Sequence, residues 1–156
     1  GQRKGEVGAL RWAFIEDDVI ALPGDVTKNG HEHVFPIGDL TKAALETVRK
    51  TGNGLLFPGR TKEPWNGWYK AKNKLDKKVS IAHWTLHDLR RTFATIHAEI
   101  GTPIHVTEKL LNHRSGTLAG IAGIYNRHTY LPEMRQAVET YENHIARIVG
   151  LGQRLT

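Results

Sequence analysis

The sequence has 156 residues, which is enough for one domain with a sizeable hydrophobic core. Hydrophobic residues make up 39% and charged residues 24%, as in globular domains, and no apolar run reaches the length of a membrane-spanning helix. The absence of cysteine excludes a disulfide framework and a thiolate zinc site. The formal net charge of +6 favours a polyanionic partner such as nucleic acid.

The first part of the chain predicts one helix and an antiparallel pair of strands. Residues 3–12 have the pattern of a short helix, and residues 19–22 form an apolar strand ended by a Pro-Gly pair. Asn29-Gly30 suits a tight turn with positive φ. Residues 33–37 are therefore expected to return as the neighbouring strand.

The middle of the chain predicts two more helices around a short apolar strand. The helices are expected over residues 41–50 and from Pro64 onward, since proline fits a first helical turn, and the strand over residues 55–57. The helix from Pro64 mixes aromatic and basic residues, a pattern that nucleic-acid surfaces share with ordinary solvated helices. Its candidates for contacting a DNA backbone are Lys70, Lys72 and Lys74.

A central helix is predicted over residues 87–100. Thr85 and Asp88 have the spacing of a capping box, so this helix should begin just after Thr85. An apolar stripe at helical spacing is expected to face the core, and it consists of Leu89, Phe93, Ile96 and Ile100.

Several polar and charged residues lie at the start of this predicted central helix. His87, Arg90 and Arg91 are predicted to lie away from the apolar stripe, near the positive end of the helix dipole. Two arginines, a histidine and free backbone N–H groups suit a phosphate, although a solvated basic surface has the same composition. Helical geometry alone does not distinguish Arg90 from Arg91.

The last part of the chain predicts two further helices. Residues 104–111 follow Pro103, and residues 132–149 begin with a proline and carry apolar residues at roughly helical spacing. The order of elements is a helix, antiparallel strands and then mostly helices. We therefore predict an α+β domain that is mostly helical with a small antiparallel sheet.

Four segments resemble the sequence boxes of the tyrosine recombinases, the phage-integrase family. Residues 87–95, H-D-L-R-R-T-F-A-T, resemble the central box, and residues 110–116, L-L-N-H-R-S-G, resemble the L-x-H box. Residues 124–127, I-Y-N-R, resemble the segment of the nucleophilic tyrosine, and residues 3–12 resemble the first-arginine box. The boxes occur in the family's order and run nearly end to end.

The resemblance implies a fold, an activity and partners. Residues 1–156 would be an integrase catalytic domain of the DNA breaking-rejoining type, and we expect it to be a fragment whose DNA-clamping N-terminal domain is absent. The implied activity is site-specific DNA recombination, for integration and excision of a phage or genomic island, with no metal and no cofactor. The implied partner is double-stranded DNA, bound as a homo-tetramer, with a monomer in isolation as the alternative. The implied location is the bacterial cytoplasm, at the nucleoid.

The resemblance also assigns roles around a scissile phosphate. Arg3 and Arg90 would clamp the phosphate, and His113 would donate a hydrogen bond to it. His87 would handle the proton of the nucleophile or stabilise the phosphate. Tyr125 would attack and form a 3′-phosphotyrosyl bond.

Two further roles follow, together with a set of DNA contacts. Lys28 would protonate the leaving 5′ oxygen, and Glu6 would brace the site without reacting. Arg91 and Arg114 join the three lysines as candidates for contacting DNA.

Several alternatives stay open at the level of sequence. Tyr130 is a rival nucleophile five residues after Tyr125, and Lys28 has the composition of an ordinary polar turn residue. Histidine pairs suggest a metal site, but the cap at Thr85 puts His83 outside the helix of His87, so we predict no metal site. The competing functions are a type IB topoisomerase, a catalytically silent DNA-binding domain and a metal-dependent nuclease.

Overall fold

The structure is a computed structural model, and it describes residues 1–50, 52, 54–61, 63–113 and 129–150. Two of the predicted site residues, Arg114 and Tyr125, lie outside the described residues.

The sheet has three antiparallel strands in the order β1-β2-β3, formed by Ile15–Glu16, Val19–Leu22 and His33–Pro36. In the pairing of β2 with β3, Val19 lies opposite Pro36 and Leu22 opposite His33. Alternate residues of β2 face the core, as the apolar pattern requires. The predicted antiparallel pairing is confirmed, but residues 23–32 join the two strands in place of a tight turn, and of Asn29-Gly30 only Gly30 has a positive φ, of 73°. β1 is a short strand that the sequence pattern did not predict.

Helices contain nearly half of the described residues. They are α1 (Lys4–Gly8), α2 (Asp39–Glu46), α3 (Trp68–Asp76), α4 (Leu86–Glu99), α5 (Ile104–Leu110) and α6 (Leu131–Ile148). Together with the sheet they confirm the predicted α+β class. None of the described helices is both long and apolar enough to cross a membrane.

The first predicted helix ends earlier than its sequence pattern suggests. α1 ends at Gly8, and the backbone N–H of Trp12 then donates to the carbonyl of Gly54 at 3.0 Å, while that of Leu56 donates to the carbonyl of Leu10 at 2.9 Å. Because Leu10 and Trp12 pair with this segment, the helix does not continue through them. The predicted strand over residues 55–57 is reduced to an isolated bridge between Arg11 and Leu55.

The capping box of α4 is confirmed, but the predicted core stripe of this helix is wrong at its first residue. The carboxylate of Asp88 accepts the backbone N–H of Thr85 at 2.8 Å. Leu89 is 58% exposed, whereas the buried residues of α4 are Arg90, Phe93 and His97. The helix is rotated relative to the prediction because Arg90 and His97 find partners inside the protein.

His97 links α4 to α6 within the core. Its side chain is 0% exposed, and its Nδ1 lies 2.9 Å from the hydroxyl of Thr102. Its ring stacks on Tyr141 with centroids 4.9 Å apart and meets Phe93 edge-on at 4.3 Å. Tyr141 therefore packs in the core of its own chain.

A residue of α6 caps α2. The carboxylate of Glu142 accepts the backbone N–H groups of Leu40 at 2.8 Å and Thr41 at 3.1 Å, where α2 has unpaired donors. A Cβ atom at Gly38 would lie 2.2 Å from this carboxylate, so a larger residue there would displace the Glu142 side chain from its position at the cap. The α2–α6 contact thus depends on residues about a hundred positions apart.

We expect His97 to make the stability of the fold pH-dependent. Burial lowers the pKa of His97 from 6.5 to about 4. Protons therefore bind the unfolded chain more strongly, and the free energy of unfolding should fall as the pH is lowered from 6.5 towards 4. The substitution His97→Phe should make this fall shallower in thermal melts between pH 7 and pH 4, at about 1.4 kcal/mol per pKa unit removed. His31→Phe, at an exposed loop position, is the control, and equal slopes in both variants would contradict the prediction.

Candidate functional site

Four of the predicted catalytic residues meet in one cleft of about 760 Å³. Arg3 enters it from the start of α1, Lys28 from the β2–β3 loop, and His87 and Arg90 from the first turns of α4. Residues of α3 form the opposite wall. The cleft is therefore lined by residues from distant parts of the sequence, and the most distant two, Gln2 and Arg90, are 88 positions apart.

A buried carboxylate holds two of these residues together. Glu6 is 3% exposed, and its Oε1 accepts a hydrogen bond from Arg3 Nη1 at 3.1 Å and from the backbone N–H of Lys28 at 3.2 Å. Its other oxygen lies 3.4 Å from the backbone nitrogen of Arg3. Glu6 thus fixes the guanidinium and the loop from one position.

Arg90 is 5% exposed, contrary to the prediction that it lies away from the core-facing side of α4. Its Nη1 donates to the carbonyl of Gly1 at 2.8 Å, and its Nη2 donates to the carbonyl of Leu111. Burial, and then the charge of Arg3, lower the pKa of Arg90 to about 10, so it stays a cation at neutral pH. Arg91 is exposed and pairs with Asp88 at 2.8 Å.

The two histidines of the predicted site differ in environment. His87 is exposed at the cleft. His113 is half-buried just after α5, and burial, followed by the charges of Arg90 and Arg3, lowers its pKa below the usual value. His113 is therefore neutral at pH 7 and keeps one N–H donor.

The C-terminal end of α5 connects the elements that carry the site. An α-helix leaves its last four carbonyls without partners inside the helix. Here four successive carbonyls, the last two of α5 and the two that follow it, each accept a side chain from another part of the chain. The pairs are His33 with Lys109 (3.0 Å), Gln2 with Leu110 (2.8 Å), Arg90 with Leu111, and Asn29 with Asn112 (3.4 Å).

Sequence reasoning missed three of these four donors. Gln2 and Asn29 flank Arg3 and Lys28, so their proximity to predicted site residues was the available signal. His33 was predicted only as the first residue of a strand; it is buried, and burial lowers its pKa to about 4. Among the described residues, no three or more His, Cys, Asp or Glu side chains form a group that could hold a metal ion.

The lysines of α3 fall into two groups. Lys72 lines the cleft, bonds Asp76 at 2.6 Å and lies 4.9 Å from the ring centroid of Trp84. Lys70 and Lys74 are exposed and are not among the residues that line the cleft. Lys4, which the sequence reasoning did not single out, lines it as well.

Comparison with known proteins identifies the family. Residues 1–131 match the model of the phage integrase family. The chain belongs to the phage integrase family, the tyrosine recombinases. This family member is 31% identical over 160 residues to prophage integrase IntZ of Escherichia coli (strain K12), in an alignment that covers 95% of the chain. The chain spans 37% of that relative's length. No solved structure matches the chain.

We expect the substitution Glu6→Gln to destabilise this integrase-family domain. The change leaves an acceptor but removes the charge that offsets Arg3, and a charged hydrogen bond contributes about 1–3 kcal/mol. Urea denaturation should show a loss of that order. Glu16→Gln, at an exposed position in β1, is the matched control, and an equal effect of the two substitutions would argue against a bracing role for Glu6.

Proposed function

We propose that the chain is the catalytic domain of a site-specific DNA recombinase that integrates and excises a phage or genomic island. The observation that carries the proposal is the cleft in which Arg3, Arg90, Lys28 and His87 converge, with Glu6 behind them. Family membership supports the same conclusion. The proposed partner is double-stranded DNA at attachment sites.

The proposed reaction is a phosphoryl transfer in two steps. The Tyr125 oxygen attacks the scissile phosphorus, forms a 3′-phosphotyrosyl bond and breaks the bond to the 5′ oxygen. His87 takes the proton of the tyrosine, and Lys28 gives a proton to the 5′ oxygen. The free 5′ hydroxyl of a partner duplex then attacks the phosphorus of the phosphotyrosyl bond and gives its proton to Lys28. Tyr125 leaves and takes its proton back from His87.

Charge stabilisation comes from the arginines in this proposal. Arg3 and Arg90 bind non-bridging phosphate oxygens as forked donors, and neutral His113 adds a hydrogen bond. Two arginines that are fixed before the DNA arrives can supply the charge that metal ions supply in other phosphoryl transfers. We therefore propose metal-independent chemistry with no cofactor, in which the phosphotyrosyl bond conserves the energy for religation.

The proposed assembly is a homo-tetramer on DNA, at the nucleoid in the bacterial cytoplasm. Ile148 and Val149 at the end of α6 are exposed apolar residues that are available for contact with a neighbouring subunit. Lys70, Lys72, Lys74, Arg91 and Arg114 are proposed to contact the DNA backbone.

A covalent trap tests the nucleophile. The full-length protein is mixed with nicked DNA duplexes that cover the ends of the host element, and a chelator is present to remove metal ions. A denaturing gel then separates any covalent protein–DNA adduct. We expect an adduct with the wild type and none with Tyr125→Phe. Tyr130→Phe should keep the adduct, because Tyr130 is the N-terminal cap of α6 and its ring packs 5.1 Å from that of His105.

Each outcome of the trap bears on a different alternative. An adduct that survives Tyr125→Phe and disappears with Tyr130→Phe would move the nucleophile to Tyr130. DNA binding without any adduct would favour a silent DNA-binding domain, and cleavage that the chelator abolishes would favour a metal-dependent nuclease. Transfer to a second duplex separates recombination from simple relaxation.

The salt dependence of DNA binding tests the lysines of α3. Each phosphate contact contributes about one counterion, so Lys70→Ala and Lys74→Ala should each reduce the slope of log K against log salt by about 1. Arg49→Ala removes the same charge from an exposed position after α2, away from the cleft, and should leave the slope unchanged. Equal slopes for all three variants would remove α3 from the proposed DNA surface.

A further inference from the structure

Two asparagines that are 83 positions apart join the β2–β3 loop to the end of α5. Asn29 Nδ2 donates to Asn112 Oδ1 at 2.9 Å, and Asn112 Nδ2 donates back to Asn29 Oδ1 at 3.3 Å. The pair is flanked by two proposed catalytic residues, because Lys28 precedes Asn29 and His113 follows Asn112.

We propose that the Asn29–Asn112 pair is a positioning device that holds Lys28 in the cleft for protonation of the leaving 5′ oxygen. The inference rests on the proposed function, in which Lys28 is the proton donor. It assigns Asn112 and Asn29 an indirect role through the position of the loop, without contact to the reacting atoms.

Lys28 depends on its loop for its position. Its side chain is exposed, and within the described part of the chain its ammonium makes no hydrogen bond and no ion pair. Glu6 holds the backbone N–H of Lys28 and does not constrain the side of the loop that faces α5. The asparagine pair fixes the loop at a second point. Two fixed points define the orientation of the loop, whereas a single point does not.

The rest of the loop is held together by hydrogen bonds between its own residues. The buried Thr27 hydroxyl lies 3.1 Å from the carbonyl of Gly24 and 2.7 Å from that of His31. This internal closure makes the loop a compact unit, so loss of the asparagine pair should change how the loop docks without unfolding it.

Asn112 can be replaced without disturbing the end of α5, because its backbone conformation and backbone hydrogen bond do not require the asparagine side chain. Its φ of 50° is in the left-handed region, which glycine adopts at low cost, and its N–H donates to the carbonyl of Lys109 at 3.0 Å. Asn29 is a poorer choice, since its Oδ1 also lies 3.2 Å from the Thr27 hydroxyl and accepts the backbone N–H of His31 at 3.3 Å. Asn112→Gly therefore removes both side-chain hydrogen bonds of the pair and keeps the helix end, and it leaves only the longer contact of Asn29 Nδ2 with the backbone carbonyl of residue 112 at 3.4 Å.

The test uses two substrates that differ in one atom. The full-length protein cleaves nicked duplexes from the ends of the host element that carry either the ordinary 5′ oxygen or a bridging sulfur at the scissile position. A thiol ionises near pH 8.5, so a sulfur leaving group departs as thiolate and needs little help from an acid. A defect in proton donation should therefore appear with oxygen and disappear with sulfur.

We expect Asn112→Gly to cleave the oxygen substrate about tenfold to a hundredfold more slowly than the wild type, the range expected for a misplaced catalytic group. On the sulfur substrate its rate should approach that of the wild type. Lys28→Ala should show the same pattern with a loss of about 10²- to 10⁴-fold. Asn66→Gly, at an exposed position outside the cleft lining, is the matched control and should cleave both substrates normally.

The outcomes separate the inference from the function on which it rests. If Asn112→Gly cleaves the oxygen substrate at the wild-type rate, or is equally slow on both substrates, the positioning role is wrong and the proposed function stands. If Lys28→Ala is not rescued by sulfur, Lys28 is not the proton donor and the inference fails with that assignment. Circular dichroism melts that match the wild type confirm that Asn112→Gly is folded.

Discussion

The carbonyls at the C-terminal end of α5 and directly after it are the constraint on which the site depends. Buried polar groups without hydrogen-bond partners are costly, so this helix end needs donors from elsewhere in the chain. The donors come from the segment before α1, the β2–β3 loop, β3 and α4. By satisfying one helix end, the chain brings together the elements that carry Arg3, Lys28 and Arg90.

A second constraint is the electrostatic balance of the cations. Arg3, Lys28 and Arg90 repel one another, and Glu6 is the buried carboxylate that offsets this repulsion behind the cleft. Glu6 contacts the side chain of Arg3 but only the backbone of Lys28. The lysine ammonium is therefore left available for chemistry while its loop is held in place.

Local sequence signals predicted the parts of this structure whose causes are local. The capping box at Thr85, the positive φ at Gly30 and the family boxes each depend on residues within a few positions of one another. The buried face of α4 was predicted incorrectly because hydrophobicity favours Leu89 over His97, and only tertiary partners such as Thr102 and Tyr141 make a buried histidine favourable. The cap that Glu142 provides for α2 has no local signal at all.

The way in which Arg90 is held has a consequence for the proposed chemistry. A guanidinium has five N–H donors, and two hydrogen bonds to carbonyls leave three of them for other acceptors. Backbone carbonyls carry partial charge only, so they fix the orientation of Arg90 without neutralising it, whereas a carboxylate in the same place would cancel much of its field. Arg3, which pairs with Glu6, is partly neutralised. In the proposed reaction, Arg90 is therefore the cation whose full charge is fixed in advance towards the phosphate, and preorganised charge of this kind stabilises a transition state without reorganisation cost.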